Sequence, residues 1–257
     1  KTYSPQNAED INSLDLKYPV VIMPANSGRF FEEFRRKAIL IHDQNELLRN
    51  YRGVCRVIDP AEVLIQEFIP AGPSNLYSFC PFFKEGKALS GIMARRARQH
   101  PMDFGHATTF AEIVHIPELE EYGNRFLSAI DYYGPAEVEF MYDPRDGTFR
   151  FLEVNARFWG WHTLAIGAGI DFPYMLYQDM LGQPFDLPSP ARPMKWLRTI
   201  TDVPTAALEI IKGRLSLGEY VSSLKGKKTY AVFAMDDPLP FIMEYLMIPY
   251  LVLKRGS

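Results

Sequence analysis

One stretch constrains this chain more than any other: two runs of alternating residues joined by a turn. Ala136-Glu137-Val138-Glu139-Phe140-Met141-Tyr142 leads into Asp143-Pro144-Arg145-Asp146-Gly147 and then Phe149-Arg150-Phe151-Leu152-Glu153-Val154-Asn155. Alternation predicts strands, and the Pro and Gly between them predict a reversal, so the segment reads as an antiparallel β-hairpin. Period-two geometry puts Glu137 and Glu139 on one face of the first strand, and Glu153 and Asn155 on one face of the second. If both pairs share a side, carboxylates and an amide oxygen converge. Buried carboxylates repel unless a cation joins them. This donor set is hard-oxygen chemistry, suited to magnesium or manganese and not to zinc. The alternative is the solvated face of an antiparallel sheet, where acidic residues are ordinary.

Arg157 follows two residues later, and then Trp159-Gly160-Trp161-His162. A cation and aromatics after a carboxylate strand suit the substrate end of a pocket. Core packing for the two Trp, and a satisfied core histidine for His162, are the competing readings. Arg95-Arg96-Ala97-Arg98-Gln99-His100 reads as part of a basic, irregular loop over 95–105, with three guanidiniums suited to anions. A solvated charge run is the plainer reading. Gly28-Arg29 with Lys37 could meet phosphates, although a lone Gly says little. Asn75, Tyr77 and Ser78 have no specific reading in isolation.

The rest of the chain supplies a frame. Asn7 to Asp10 reads as a helix entrance, and Asp43 as the N-cap of a helix holding Glu46, Leu47 and Leu48. Strands are expected at 18–24, 38–41, 63–69, 76–83, 88–94 and 110–115, with a loop over 25–36. The spacing of Leu119, Tyr122, Phe126, Leu127 and Ile130 predicts an amphipathic helix over 118–130. A helix over 173–181 ends at Gly182, and Tyr230 to Ala234 suits a strand. Pro238 to Leu253 is apolar but interrupted, and ordinary packing is expected of it more than a docking surface.

Composition excludes several classes. The chain has 257 residues, 47% hydrophobic and 23% charged, the balance of a soluble globular protein and not of a disordered or fibrous one. A formal charge of -3 gives no field to draw nucleic acid or anionic lipid. Cys55 and Cys80 are too few for a disulfide scaffold or a multi-cysteine zinc site, and reduced thiols are expected in a cytoplasmic protein. No apolar run reaches the roughly 18–20 residues needed to span a bilayer. The chain begins at Lys1 and not at Met, so a fragment lacking a preceding domain is expected.

The order of these parts resembles the ATP-grasp superfamily, and more closely its carbamoyl-phosphate-synthase-like, carboxylate–amine ligase branch. Four segments carry the resemblance across residues 1–185: Tyr18 to Ile22 before Pro24, Gln66 to Pro70 with Gly72, the charged stretch Arg95 to Phe104 before Gly105, and Val138-Glu139-Phe140 paired with Leu152 to Arg157. The last is the most specific. The resemblance implies an α+β fold in which two subdomains, 1–70 and 71–185, grip ATP between antiparallel sheets. Residues 186–257 would form an extension packed on them, and a Rossmann-like domain would precede. It implies that Glu139, Glu153 and Asn155 hold magnesium on the triphosphate, and that Asn155 and Arg157 face the reacting phosphoryl group. Arg96 would sit near the phosphates or the acceptor. Gln66, Glu67, Phe68 and Ile69 would form a hinge touching adenine, Lys37 would be a phosphate-side lysine, and Asn75 goes with these nucleotide contacts. Loops 25–36 and 95–106 would be lids.

One position departs from the pattern: Met23 stands where the family commonly has lysine before the proline. Methionine has similar length but no charge and no strong donor. The lost charge-assisted contact is worth roughly 1.5–3 kcal/mol, or about one to two decades in nucleotide affinity. The activity implied is ATP-dependent ligation of a small-molecule carboxylate to an amine through an acyl phosphate, without nucleic acid and with a homodimer among the expected assemblies. The alternative is a nucleotide-binding module without turnover.

Overall fold

The computed structural model describes residues 1–102 and 107–250. The chain divides into two compact units, Lys1–Pro70 and Ala71–Ser257. Both combine helices with largely antiparallel sheets, an α+β architecture.

The first unit runs β1 (Thr2–Tyr3), α1 (Ala8–Asn12), β2 (Val20–Pro24), α2 (Ser27–Phe34), β3 (Ile39–Ile41), α3 (Gln44–Val54) and β4 (Val63–Glu67). Its sheet has the order β1-β4-β2-β3 and every pairing is antiparallel. The helices start where the sequence supplies caps. Asn7 accepts from the backbone N–H groups of Glu9 and Asp10, and Asp10 reciprocates, closing a capping box. Asp43 accepts from Glu46 N–H at the start of α3. Ile22, Phe30, Ile41, Leu47, Val54 and Ile65 are among the residues that close the core.

Residues 25–36 are helical over α2, not a loop. Asn26 caps the helix by accepting from Gly28 N–H at 3.3 Å. Phe30 and Phe34 lie one turn apart with ring centroids at 4.8 Å, and Phe30 is fully buried. The charge density of the segment concealed this. Arg29, Glu32, Glu33, Arg35 and Arg36 are exposed while the aromatic edge is covered.

The second unit begins with β5 (Leu76–Lys84), β6 (Lys87–His100), β7 (Ala107–Val114), α4 (Pro117–Ala129), β8 (Gly134–Pro135), β9 (Glu137–Asp143) and β10 (Thr148–Asn155). It continues through α5 (Thr163–Ala168), α6 (Phe172–Met180), β11 (Lys195–Leu197), α7 (Thr199–Ile211), α8 (Leu217–Ser223), β12 (Lys228–Tyr230) and α9 (Leu239–Leu246). The strands form one sheet in the order β10-β9-β5-β6-β7-β11-β12, with β8 paired to β5. Only β11 and β12 are parallel among the described pairings. β11 and β12 come from beyond residue 185, so the C-terminal stretch extends this sheet. The strand expected over 230–234 occupies Lys228–Tyr230 instead, and part of the apolar 238–253 run is α9; residues 251–253 lie outside the described residues.

The sheet's two faces have separate cores. One packs Phe79, Phe83, Val138 and Phe140 against Leu119 and Leu127 of α4. The other gathers Cys80, Phe82, Ile92 and Ala94 with Trp159, Trp161, Leu164 and Phe172. Residues 95–100 belong to β6 and are not an irregular loop; 103–106 lie outside the described residues.

Candidate functional site

The hairpin is β9 and β10, antiparallel, with Glu153 opposite Glu139 and Asn155 opposite Glu137. Directly opposed residues project to the same side of a sheet. A register shift between Phe151 and Glu153 marks a bulge just before the acidic end, and it bends β10 there. β5 pairs Ser78 with Glu139 on the other side of β9. Three adjacent strands therefore bring Ser78, Glu137, Glu139, Glu153 and Asn155 together.

Hydrogen bonds join them. Asn155 Nδ2 donates to Glu139 Oε1 at 2.9 Å and to Glu137 Oε2 at 3.2 Å. Ser78 Oγ donates to Glu137 Oε1 at 3.0 Å. Arg96 reaches in from β6. Its Nη1 is ion-paired with Glu139 and lies 3.7 Å from Glu137 Oε1, and its Nε donates to Thr108 Oγ1 at 2.9 Å. Arg96 is 7% exposed, so this is a desolvated cation. Its Nη1 has no directed hydrogen-bond partner among the described residues. Arg157 Nη2 donates to Asn155 Oδ1 at 3.0 Å, and its Nη1 to the carbonyl of Phe158 at 3.0 Å. Arg157 and Glu153 are exposed, so one edge of the cluster opens to solvent.

The electrostatics follow from burial. Glu137, 3% exposed, is pushed up to about 7, first by desolvation and then by the charge of Glu139. Arg96 and the Ser78 hydroxyl pull the other way without cancelling it. Cys80, buried on the same strand as Ser78, is raised well above an ordinary thiol, chiefly by burial and then by Glu137 and Glu139. It is a packed thiol, not a nucleophile.

A divalent cation fits this donor chemistry. Among the described residues no three Asp, Glu, His or Cys side chains form a ready-made metal cage. Glu139, Glu153 and Asn155 instead offer carboxylate and amide oxygens on neighbouring strands. That suits magnesium, which keeps waters and substrate phosphates in its shell. The crowding that raises Glu137 is what a second cation beside Arg96 would relieve.

The other sequence-predicted residues are placed as follows. Trp159 and Trp161 are core, 5.5 Å apart and edge to face, so they pack and do not line a substrate pocket. His162 Nδ1 donates to the Trp159 carbonyl at 3.0 Å, which makes it a satisfied local histidine. Lys37 is exposed just ahead of β3. Gln66 and Glu67 close β4; Gln66 Nε2 donates to Thr2 Oγ1 at 3.2 Å, and Glu67 Oε2 accepts from the backbone nitrogen of Lys1 at 3.3 Å. Phe68 N–H donates to the Pro19 carbonyl at 3.3 Å, and Ile69 precedes the boundary between the units. Asn75 ends a short 3-10 turn before β5. Met23 is half-buried in β2 opposite Leu64. Sequence reasoning missed Ser78, whose alternation with buried Cys80 on β5 was the available signal.

Comparisons with known proteins agree with this layout. Residues 108–185 match the model of the carbamoyl-phosphate synthase L chain, ATP binding domain. The chain is similar to a D-aspartate ligase of Enterococcus faecium (strain Aus0004), 28% identical over 153 residues, which are 56% of this chain and 35% of that protein. Among solved structures it is similar to an L-amino acid ligase from Bacillus licheniformis, 18% identical with TM-score 0.52, covering 75% of this chain and 46% of that one. It is also similar to N5-carboxyaminoimidazole ribonucleotide synthetase from Thermus thermophilus, 16% identical with TM-score 0.55, covering 75% and 50%. The chain therefore spans about a third of the curated relative and at most half of these structures. At these identities the structural likeness establishes the fold.

Proposed function

This chain has the ATP-grasp fold and resembles the carboxylate–amine ligase branch in its E-F … E-x-N-x-R hairpin, and on that premise we propose that it is part of an ATP- and magnesium-dependent ligase. The observation that carries the reading is the register of the hairpin. Glu139 faces Glu153 across the ladder, Asn155 bonds to both buried carboxylates, and two arginines meet the same cluster. Glu139, Glu153 and Asn155 would hold magnesium. When bound, the metal supplies charge neutralisation on the triphosphate.

The proposed reaction has two steps. A carboxylate oxygen attacks the γ-phosphorus of ATP, the bond from that phosphorus to the β-phosphate oxygen breaks, and ADP leaves. An amine nitrogen then attacks the acyl carbon, the C–O bond to phosphate breaks, and an amide-type bond remains as the amine gives up a proton. The protein's work is positioning and charge stabilisation. Arg96 and Arg157 would sit on the anionic oxygens of the moving phosphoryl group. Asn155 orients Glu137 and Glu139 through its amide while its oxygen accepts from Arg157. Lys37, Gln66, Glu67, Phe68, Ile69 and Asn75 keep the nucleotide contacts that the resemblance implies. Residues 1–70 and 71–185 are the two grasp halves in this reading. Small carboxylates and amines, amino acids among them, are the substrates it favours.

One observation favours a second reading, nucleotide binding without turnover: Met23 stands in β2 where a lysine would meet the nucleotide. The deciding experiment is a thermal-shift titration with ATP, ADP and a nonhydrolysable analogue, with and without magnesium, followed by ADP release over a panel of carboxylates and amines. A magnesium-dependent rise of several degrees and substrate-dependent ADP release support the ligase. Binding without release supports the module. Glu153→Ala should remove the magnesium-dependent shift and leave the melting temperature of the free protein unchanged, because Glu153 is exposed. An unaltered magnesium response in that variant refutes the metal assignment.

A further inference from the structure

α7 turns polar side chains inward. It buries Asp202, Thr205 and Glu209 alongside Ala206, and exposes Val203, Leu208 and Ile211. Helices normally bury the apolar stripe, so an inverted one needs a polar surface to meet. For Asp202 and Thr205 that surface is the end of β6. Asp202, with no exposed area, takes Arg98 in a fork: Nε to Oδ1 at 2.8 Å and Nη2 to Oδ2 at 2.9 Å. Arg98 Nη1 donates to Ser223 Oγ at 2.9 Å, and its guanidinium lies over the rings of Phe110 at 4.1 Å and Tyr220 at 5.0 Å. One turn along α7, Thr205 meets His100 Nδ1 at 3.0 Å.

The place where α7 grips β6 matters. The ladder between β6 and β7 breaks its register between Arg95 and Arg98 and again between Arg98 and Gln99. Arg96 lies inside the first break, where the ladder does not fix the backbone, and bulges of this kind re-aim side chains. Side-chain contacts supply the missing restraint. Arg96 is bonded to Thr108, and the next residue, Thr109, donates to Asp202 Oδ1 at 2.8 Å. Arg198 N–H, at the head of α7, donates to the Thr109 carbonyl at 2.9 Å. The contacts thus close a ring: Arg96, Thr108, Thr109, Asp202, Arg98 and back along β6 to Arg96. A buried ion pair is a weak source of net stability, and its better-attested use is to fix one arrangement among several.

We propose that Asp202 is a positioning residue for Arg96: by clamping Arg98 and Thr109 it fixes the β6 bulge that aims Arg96 at Glu137 and Glu139. Its consequence for nucleotide binding rests on the phosphate-side role proposed for Arg96 above; the clamp itself does not. Asp202 lies beyond the 108–185 family match, so the C-terminal helices act here as a brace for the carboxylate cluster.

The test compares Asp202→Asn with Glu209→Gln in the full chain. Glu209 is a comparably buried carboxylate of the same helix, but it pairs with Arg214 and Lys212. Two readouts are taken: hydrogen exchange of the Arg96 guanidinium Nε–H by NMR, and magnesium-dependent affinity for a nonhydrolysable ATP analogue. Asp202→Asn should speed the Arg96 exchange by about tenfold or more and weaken the analogue by about tenfold, whereas Glu209→Gln should change neither despite a similar loss in melting temperature. Arg96 exchange in Asp202→Asn that matches Glu209→Gln overturns the proposal. If Asp202→Asn fails to fold, Ser223→Ala removes a single Arg98 bond and should speed the exchange about threefold; no change there overturns it equally. Absence of analogue binding in the unaltered chain sinks the ligase reading, and the exchange measurement then decides the clamp alone.

Discussion

Asn155 Nδ2 donates to Glu139 Oε1 at 2.9 Å and to Glu137 Oε2 at 3.2 Å, so one amide bridges two buried carboxylates of the neighbouring strand. The bridge exists because Asn155 pairs with Glu137 in the β9–β10 ladder and both acids of β9 face the same side. Replacing the amide by a carboxylate would put a fourth acid beside Glu137, Glu139 and Glu153 and remove both donors. Asn155→Asp is therefore expected to cost about 1–3 kcal/mol of stability at neutral pH and to recover when magnesium is added. Chemical denaturation with and without magnesium checks this, and an equal loss under both conditions would count against a cation at the cluster.

Glu137 makes the stability depend on pH in an uncommon direction. Its folded-state pKa of about 7 lies above the ordinary value of 4.5, so between these the folded state holds a proton that the unfolded chain releases. Stability must then fall as pH rises through that window, by about 3 kcal/mol for this group. Glu137→Gln should flatten the profile between pH 5 and 8 in a chelator-containing buffer. A wild-type curve that rises over the same range would contradict the assignment.

Met23 faces a direct test by restoration. Met23→Lys should tighten magnesium–ATP binding by about tenfold to a hundredfold, the worth of one charge-assisted contact. Calorimetric titration of both forms measures it. Unchanged affinity would mean that position 23 does not meet the nucleotide.

Gly123 in α4 should resist replacement although it lies inside a helix. A Cβ there would come within 2.3 Å of Phe79 Cδ1, in the core beneath the carboxylate strands. Gly123→Ala is expected to destabilise by about 1–3 kcal/mol, reversing the roughly 1 kcal/mol that alanine ordinarily gains over glycine in a helix. Thermal unfolding decides the sign.

Some elements were readable because their causes are local. The Asp43 cap, the Glu118 to Ile130 periodicity and the hairpin turn each depend on residues only a few positions apart. The α2 segment was misread because its charges are denser than its apolar edge, although Asn26 and the Phe30–Phe34 pair marked a helix. Trp159 and Trp161 were readable as core or pocket alike, and only packing against Phe172 and the sheet separated the two. The inverted face of α7 had no local signature, since burial of Asp202 makes sense only once Arg98 is beside it.

The arginines of β6 show where the division falls. Alternation on β9 and β10 by itself determined that Glu137 and Glu139 share one face of their strand, and that Glu153 and Asn155 share one face of theirs, because side-chain direction in a strand follows from backbone geometry alone. The same sequence carries Arg95, Arg96 and Arg98 as an undifferentiated basic run. The tertiary structure alone decided their fates: Arg95 pairs with Glu112 across the ladder, Arg96 with the carboxylate cluster, and Arg98 with an aspartate 104 residues away. Ion-pair partners are set by which distant strands and helices the fold brings within a few ångströms, and Coulomb attraction in a desolvated site is strong only over that range.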